Sequence, residues 1–146
     1  MKKIISMLGL ACIGLLMAAC QSGSGNMEAL NKAVKEGNTE QVAKLSAESY
    51  AQIADCSAEE LANLTIAYSY LAEKEMEGRN DPAYLSEFIE KALECYDKAV
   101  AADKEAAEEV FKTAGKENIK EVVTGLKTQL EEAQAAEQAL LEQING

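Results

Sequence analysis

The sequence predicts an all-α protein made of antiparallel helical hairpins, the second one lengthened, with a long C-terminal helix capping them. Three observations point there. Beyond residue 25 no stretch alternates polar and apolar side chains with period two, and good helix formers fill the chain. Helix-stopping Gly and helix-starting Asn, Ser and Asp-Pro recur at helical spacing. The 146 residues suit one compact body. With 14 Lys+Arg against 25 Asp+Glu, the net charge of −11 argues against a nucleic-acid partner, which needs a basic stripe. The absence of His excludes imidazole base chemistry and every metal site built on His ligands.

The chain opens with Lys2 and Lys3, then an apolar run from Ile4 to Ala19. That run is short for a bilayer span and ends in small residues, as a secretory signal does. Its end, Leu16-Met17-Ala18-Ala19-Cys20, resembles a bacterial lipobox, with Met17 where the family usually carries Leu. The resemblance implies a signal peptide over 1–19 and acylation of Cys20 as the first mature residue. Cys12 is the poorer candidate, because cleavage there leaves an apolar tail on the mature chain. Residues 20–25, the lipidated Cys followed by Gln21-Ser22-Gly23-Ser24-Gly25, form a flexible tether. In lipoproteins of this kind Asp after the Cys favours inner-membrane retention, so Gln21 implies the outer membrane. The tether has no acidic run, which implies the periplasmic face. Removing residues 1–19 takes away two lysines, and the remaining body is strongly acidic and repelled by anionic membrane surfaces. Membrane contact is thus expected through the lipid alone.

Residues 26–146 read as one helical domain of six helices. Asn26 opens a first over 27–36, and Gly37 supplies its left-handed stop. Asn38 or Thr39 caps a second, to about residue 54. Ser57-Ala58-Glu59-Glu60 is a capping box for a third, ended by Gly78. Asp81-Pro82 opens a fourth with Pro at its first position. Asp103 starts a short fifth that Gly115 stops, and Asn118-Ile119-Lys120-Glu121 is a second capping box for the long sixth. The hairpins are 27–54 and 57–103, and the C-terminal helices occupy 104–145.

Leu30 and Ala33 recur one 34-residue period later as Leu64 and Ala67, with Val34 answered by Tyr68. The fourth helix adds Ala92, Tyr96 and Ala99, then Asp103. Over residues 27–103 this pattern resembles a degenerate tetratricopeptide repeat. It departs at Thr65, where the family has Gly, and at Lys104, where it has Pro. A turn near residue 80 sets Leu64 level with Tyr96 and Ala67 level with Ala92. Each arm is then about two turns longer than in an ordinary repeat and protrudes by roughly 10 Å. The resemblance implies peptide binding on a concave face, here Glu59, Ala62, Ile66, Ser69 and Tyr70. The protruding end carries Met76, Tyr84 and Phe88, aromatic residues being favoured binding anchors.

On the sixth helix Ile119, Val123, Leu126, Leu130, Ala133, Leu140 and Ile144 form a heptad-like stripe that Glu137 interrupts. Two arrangements fit: the helix folds back over the lengthened hairpin, favouring a monomer, or it forms a coiled-coil dimer seam. The first is expected, because Gly125 and Glu137 weaken a seam. Cys56 lies about 12 Å along the axis from the level of Cys95, too far for a disulfide, so two buried thiols are expected. The pairs Glu59-Glu60, Glu108-Glu109 and Glu131-Glu132 diverge by about 100° on a helix, so they build neither an acid–base couple nor a cation cage. No nucleophile sits in a Gly-rich turn. The expected protein is not an enzyme and carries no cofactor or metal. The expected function is a helical scaffold holding a periplasmic protein, or alternatively a binder of a small apolar ligand or peptide between the hairpins and the last helix.

Overall fold

The computed structural model describes residues 26–78 and 81–146. The signal segment 1–19, Cys20, the tether to residue 25 and the turn at 79–80 lie outside the described residues. Five helices follow one another: α1 (26–36), α2 (Thr39–Tyr50), α3 (Ala58–Gly78), α4 (Pro82–Thr113) and α5 (Ile119–Asn145). There is no strand among the described residues.

Most of the boundaries follow from capping chemistry. Gly37 sits at φ 72° and Gly115 at φ 70°, the left-handed region that a Cβ disfavours. At each, two backbone N–H groups reach back to the helix end: Asn38 to Ala33 O at 2.9 Å and Gly37 to Val34 O at 3.1 Å, then Lys116 to Phe111 O at 2.7 Å and Gly115 to Lys112 O at 3.1 Å. The Ser57 box forms reciprocally, with Ser57 N–H on Glu60 Oε2 at 2.8 Å and Glu60 N–H on Ser57 Oγ at 3.2 Å. Asp81 accepts from Ala83 N–H at 2.8 Å ahead of Pro82.

Three local expectations are corrected. The second helix ends at Tyr50, and a short 3-10 turn, Ile53–Asp55, completes the stretch to 55. The box expected at Asn118 does not form: Asn118 is at φ −100°, ψ 27°, a turn conformation from which its side chain makes no cap. The fourth and fifth helices run together as α4, broken only at Asp103 (φ −163°, ψ 100°). The carboxylate there accepts from Ala106 N–H at 3.1 Å, so Asp103 does start the second segment as a cap.

α3 is the centre of the molecule. No charged residue occurs from Leu61 to Ala72, and this run is buried almost all round. α4 lies antiparallel along it, with Tyr68 of α3 meeting Phe88 and Lys91 of α4, the level expected of a turn near residue 80. Leu64, Ala67 and Ala92 are fully buried between them, and Tyr96 is half-buried against Phe111 with ring centroids 5.5 Å apart. Thr65 hides its hydroxyl by donating to Leu61 O at 2.9 Å. α1 adds Met27, Leu30 and Ala33, and α2 adds Val42 and Leu45.

α5 starts beside the middle of α4, where Lys120 pairs with Asp97 at 3.2 Å and lies 4.8 Å over the Tyr96 ring. It runs towards the hairpin tip, burying Ile119, Val123 and Leu130 on the way. The tip is reached at Leu130–Ala133, and none of the described body extends beyond it for the helix to cover. Every residue from 131 to 146 is exposed. Folding back over the hairpin therefore describes only the first half of α5; the second half is a free arm.

Candidate functional site

The row expected to line a concave face is mostly core. Ala62, Ile66 and Ser69 are buried, because the central position of α3 leaves it little open surface. Glu59 is exposed, and Tyr70 is half-buried with its hydroxyl 3.1 Å from Thr39 Oγ1. Only Ile66 reaches an opening, a cavity of about 500 Å³ that it lines with Asn31, Val34, Val110, Thr113 and Lys116. Sequence reasoning missed this cavity. Its one signal is the pair Val34 and Val110, which lie apart from the fully buried stripes of their helices.

The protruding trio divides. Phe88 belongs to an aromatic ladder: Tyr50 meets Tyr68 edge-on at 5.8 Å, Tyr68 meets Phe88 at 6.2 Å, and Phe88 stacks on Tyr84 at 6.4 Å. Lys91 lies 4.7 Å over Tyr50 and 5.7 Å over Tyr68 while pairing with Glu87 at 2.6 Å. The Tyr50 hydroxyl donates to Glu94, and that bond, aided by burial, pushes its pKa up to about 12. Tyr84, 56 % exposed, is the open end of the ladder. Met76 instead faces α5, in a cavity of about 410 Å³ lined also by Pro82, Leu85, Leu130 and Ala133, with Glu75 and Asp81 among its walls.

Cys56 and Cys95 are free thiols; Cys95 is buried as expected, whereas Cys56, at the end of the 3-10 turn, is only half-buried. Burial raises both, Cys56 to about 11 and Cys95 to about 12, so neither offers a thiolate near neutral pH. Cys56 Sγ–H points to Gln52 O at 3.5 Å. Among the described residues no three metal-ligating side chains gather, and no helix is long and apolar enough to cross a membrane.

The chain matches no family model, no curated protein and no solved structure. Function must therefore be read from geometry, and the feature that stands out is the arm of α5. Leu140 is 60 % exposed, Leu141 50 % and Ile144 71 %. They continue the stripe that Leu130 buries at the hairpin tip, with Glu137 between them.

Proposed function

We propose that the protein is a non-catalytic lipoprotein, tethered to the outer membrane through acylated Cys20 and facing the periplasm, that acts as a helical adaptor for another periplasmic protein. The observation that carries the adaptor reading is the free half of α5, whose apolar stripe leaves the body and stays uncovered. Exposed apolar patches on soluble proteins mark interaction sites, and Leu140, Leu141 and Ile144 cluster at the end of the arm. The hairpin pattern supports a degenerate tetratricopeptide likeness, since Leu30, Ala33, Leu64, Ala67, Ala92 and Ala99 are all buried helix-face residues. On this reading the partner docks on the arm rather than in a concave groove, with Tyr84 a secondary contact.

A photo-crosslinking residue at Leu140, with one at exposed Glu48 of α2 as control, tests the adaptor in the native envelope. A discrete crosslinked protein from Leu140 alone is expected; equal yields from both positions remove the reading. Metabolic labelling with a fatty-acid probe tests the anchor, which requires label on the wild type and none on Cys20→Ala. A second reading, a small apolar ligand held between hairpin and last helix, is favoured by the cavity around Met76, Leu85 and Leu130. Native mass spectrometry of the delipidated protein separates the two, because only the second leaves a small molecule bound.

A further inference from the structure

We infer that the α5 arm and the hairpin-tip cavity form one docking ledge for a cationic amphipathic helix of the partner, whose Lys or Arg pairs with Glu137. This rests on the adaptor reading and names the chemistry of what is held.

The apolar surface runs from the tip cavity along the arm, interrupted once by Glu137. Leu130 is 8 % exposed and sits on the body, and Ala133 lines the tip cavity beside Met76, Pro82 and Leu85. Leu140, Leu141 and Ile144 then carry the stripe outward, about 21 Å from Leu130 to Ile144. At helical spacing Leu130, Glu137, Leu141 and Ile144 share one face, which places the Glu137 carboxylate in the middle of the stripe.

Among the described residues, the charge along the arm and around the tip cavity has one sign. No Lys or Arg follows Lys127, whereas Glu131, Glu132, Glu137 and Glu142 all lie on the arm. Glu75 and Asp81 line the cavity, and among the described residues no basic residue does. The residues three and four positions from Glu137 are Ala133, Gln134, Leu140 and Leu141, so its own helix offers it no cation. Other places in the chain do pair: Lys91 with Glu87, Lys104 with Glu108 and Lys120 with Asp97.

An occupant that covers Leu141 and Ile144 also desolvates Glu137. Burying a carboxylate without a partner is costly, and meeting it with a cation offsets that cost and fixes register. In a symmetric pair of arms the only charges available to meet Glu137 are carboxylates, and an anionic bilayer repels the arm as a whole. A helix with apolar residues on one face and Lys or Arg beside them satisfies both the stripe and the charge. Glu137 then acts as a selector of the partner more than a source of affinity.

The test uses the full chain and two synthetic amphipathic helices, one of Leu and Lys and one of Leu and Glu, read by fluorescence anisotropy. The Leu–Lys helix should bind at least about tenfold more tightly than the Leu–Glu helix, and more weakly as salt rises. Glu137→Lys should weaken Leu–Lys binding by about tenfold or more and confer binding of Leu–Glu, with the circular dichroism unchanged. Glu90→Lys, on the exposed side of α4, should leave both affinities within about twofold. Equal damage from Glu90→Lys overturns the inference, since attraction is then diffuse. So does a dimer in sedimentation whose interface is the arm, or binding to phosphatidylethanolamine–phosphatidylglycerol vesicles that competes with the peptide. A Leu140 crosslink to a helix bearing acidic residues keeps the adaptor and removes the cationic partner; no crosslink at all removes both.

Discussion

Ending the chain at Ala133 should cost little stability, and this follows from the burial pattern along α5. All residues from 131 to 146 are exposed, so deletion of 134–146 removes no packed side chain from the body. Fully burying a Leu or Ile is worth about 1.5–3 kcal/mol, but Leu140, Leu141 and Ile144 keep half or more of their surface in water. What they do cover belongs to their own helix, which frays without unfolding the domain. The expected loss is below about 1 kcal/mol. Leu130→Ala, by contrast, empties a site that is 8 % exposed and should cost about 2–4 kcal/mol. One truncated side chain thus outweighs the whole deleted segment. Urea unfolding followed by circular dichroism at 222 nm reads both values, and the slope with urea should scarcely change on truncation. A loss above about 2 kcal/mol for the deletion means that the arm packs on the body. The docking ledge and the adaptor reading then lose their basis.

Four further outcomes are expected. Ser46 is fully buried in α2 and its hydroxyl has no hydrogen-bond partner among the described residues, so Ser46→Ala should raise the urea midpoint by the equivalent of about 1 kcal/mol. Ser57→Ala should cost about 1 kcal/mol, and because Ser57 and Glu60 cap reciprocally, a double-mutant cycle with Glu60→Ala should show clear non-additivity. Cys95 rises from 9.0 to about 12 on folding, so the stability this thiol contributes is complete below pH 9 and falls by about 1.4 kcal/mol per pH unit from there to about 12; unfolding curves at pH 8, 9.5 and 11 should flatten below 9, and Cys95→Ala should lessen the alkaline slope. Tyr84→Ala should change stability by less than about 1 kcal/mol while Phe88→Ala, inside the ladder, costs about 2 kcal/mol, both read by thermal melts.

The helix ends were legible wherever a residue type leaves the backbone one choice. Gly37 and Gly115 announce left-handed stops, and Ser57 with Glu60 and Asp81 with Pro82 announce starts. The same letters misled at Asn118, whose box needs an extended cap residue that the tight turn after Gly115 does not provide. The end of α2 at Tyr50 was not legible, since neither Gly nor Pro lies between Tyr50 and Ser57. The central place of α3 was written in the charge-free run from Leu61 to Ala72. The repeat pattern assigned one side of it to a groove instead, but Ala62 and Ser69 are buried and only Ile66 of that row reaches an opening. The stripe on α5 was visible to Ile144, but a stripe does not say what covers it. That depends on where the hairpin ends, a length in space that no single helix encodes.

Because burial ends at Leu130 while the helix continues to Asn145, the last turns of α5 form a lever. Packed at one end and about 21 Å from Leu130 at Ile144, the rod converts a tilt of about 10° at its root into a sweep of about 4 Å at its tip. Small adjustments where Met76, Leu85 and Leu130 meet therefore set the volume the tip searches. Filling that junction with larger side chains should narrow the sweep and raise the helical order of the final turns.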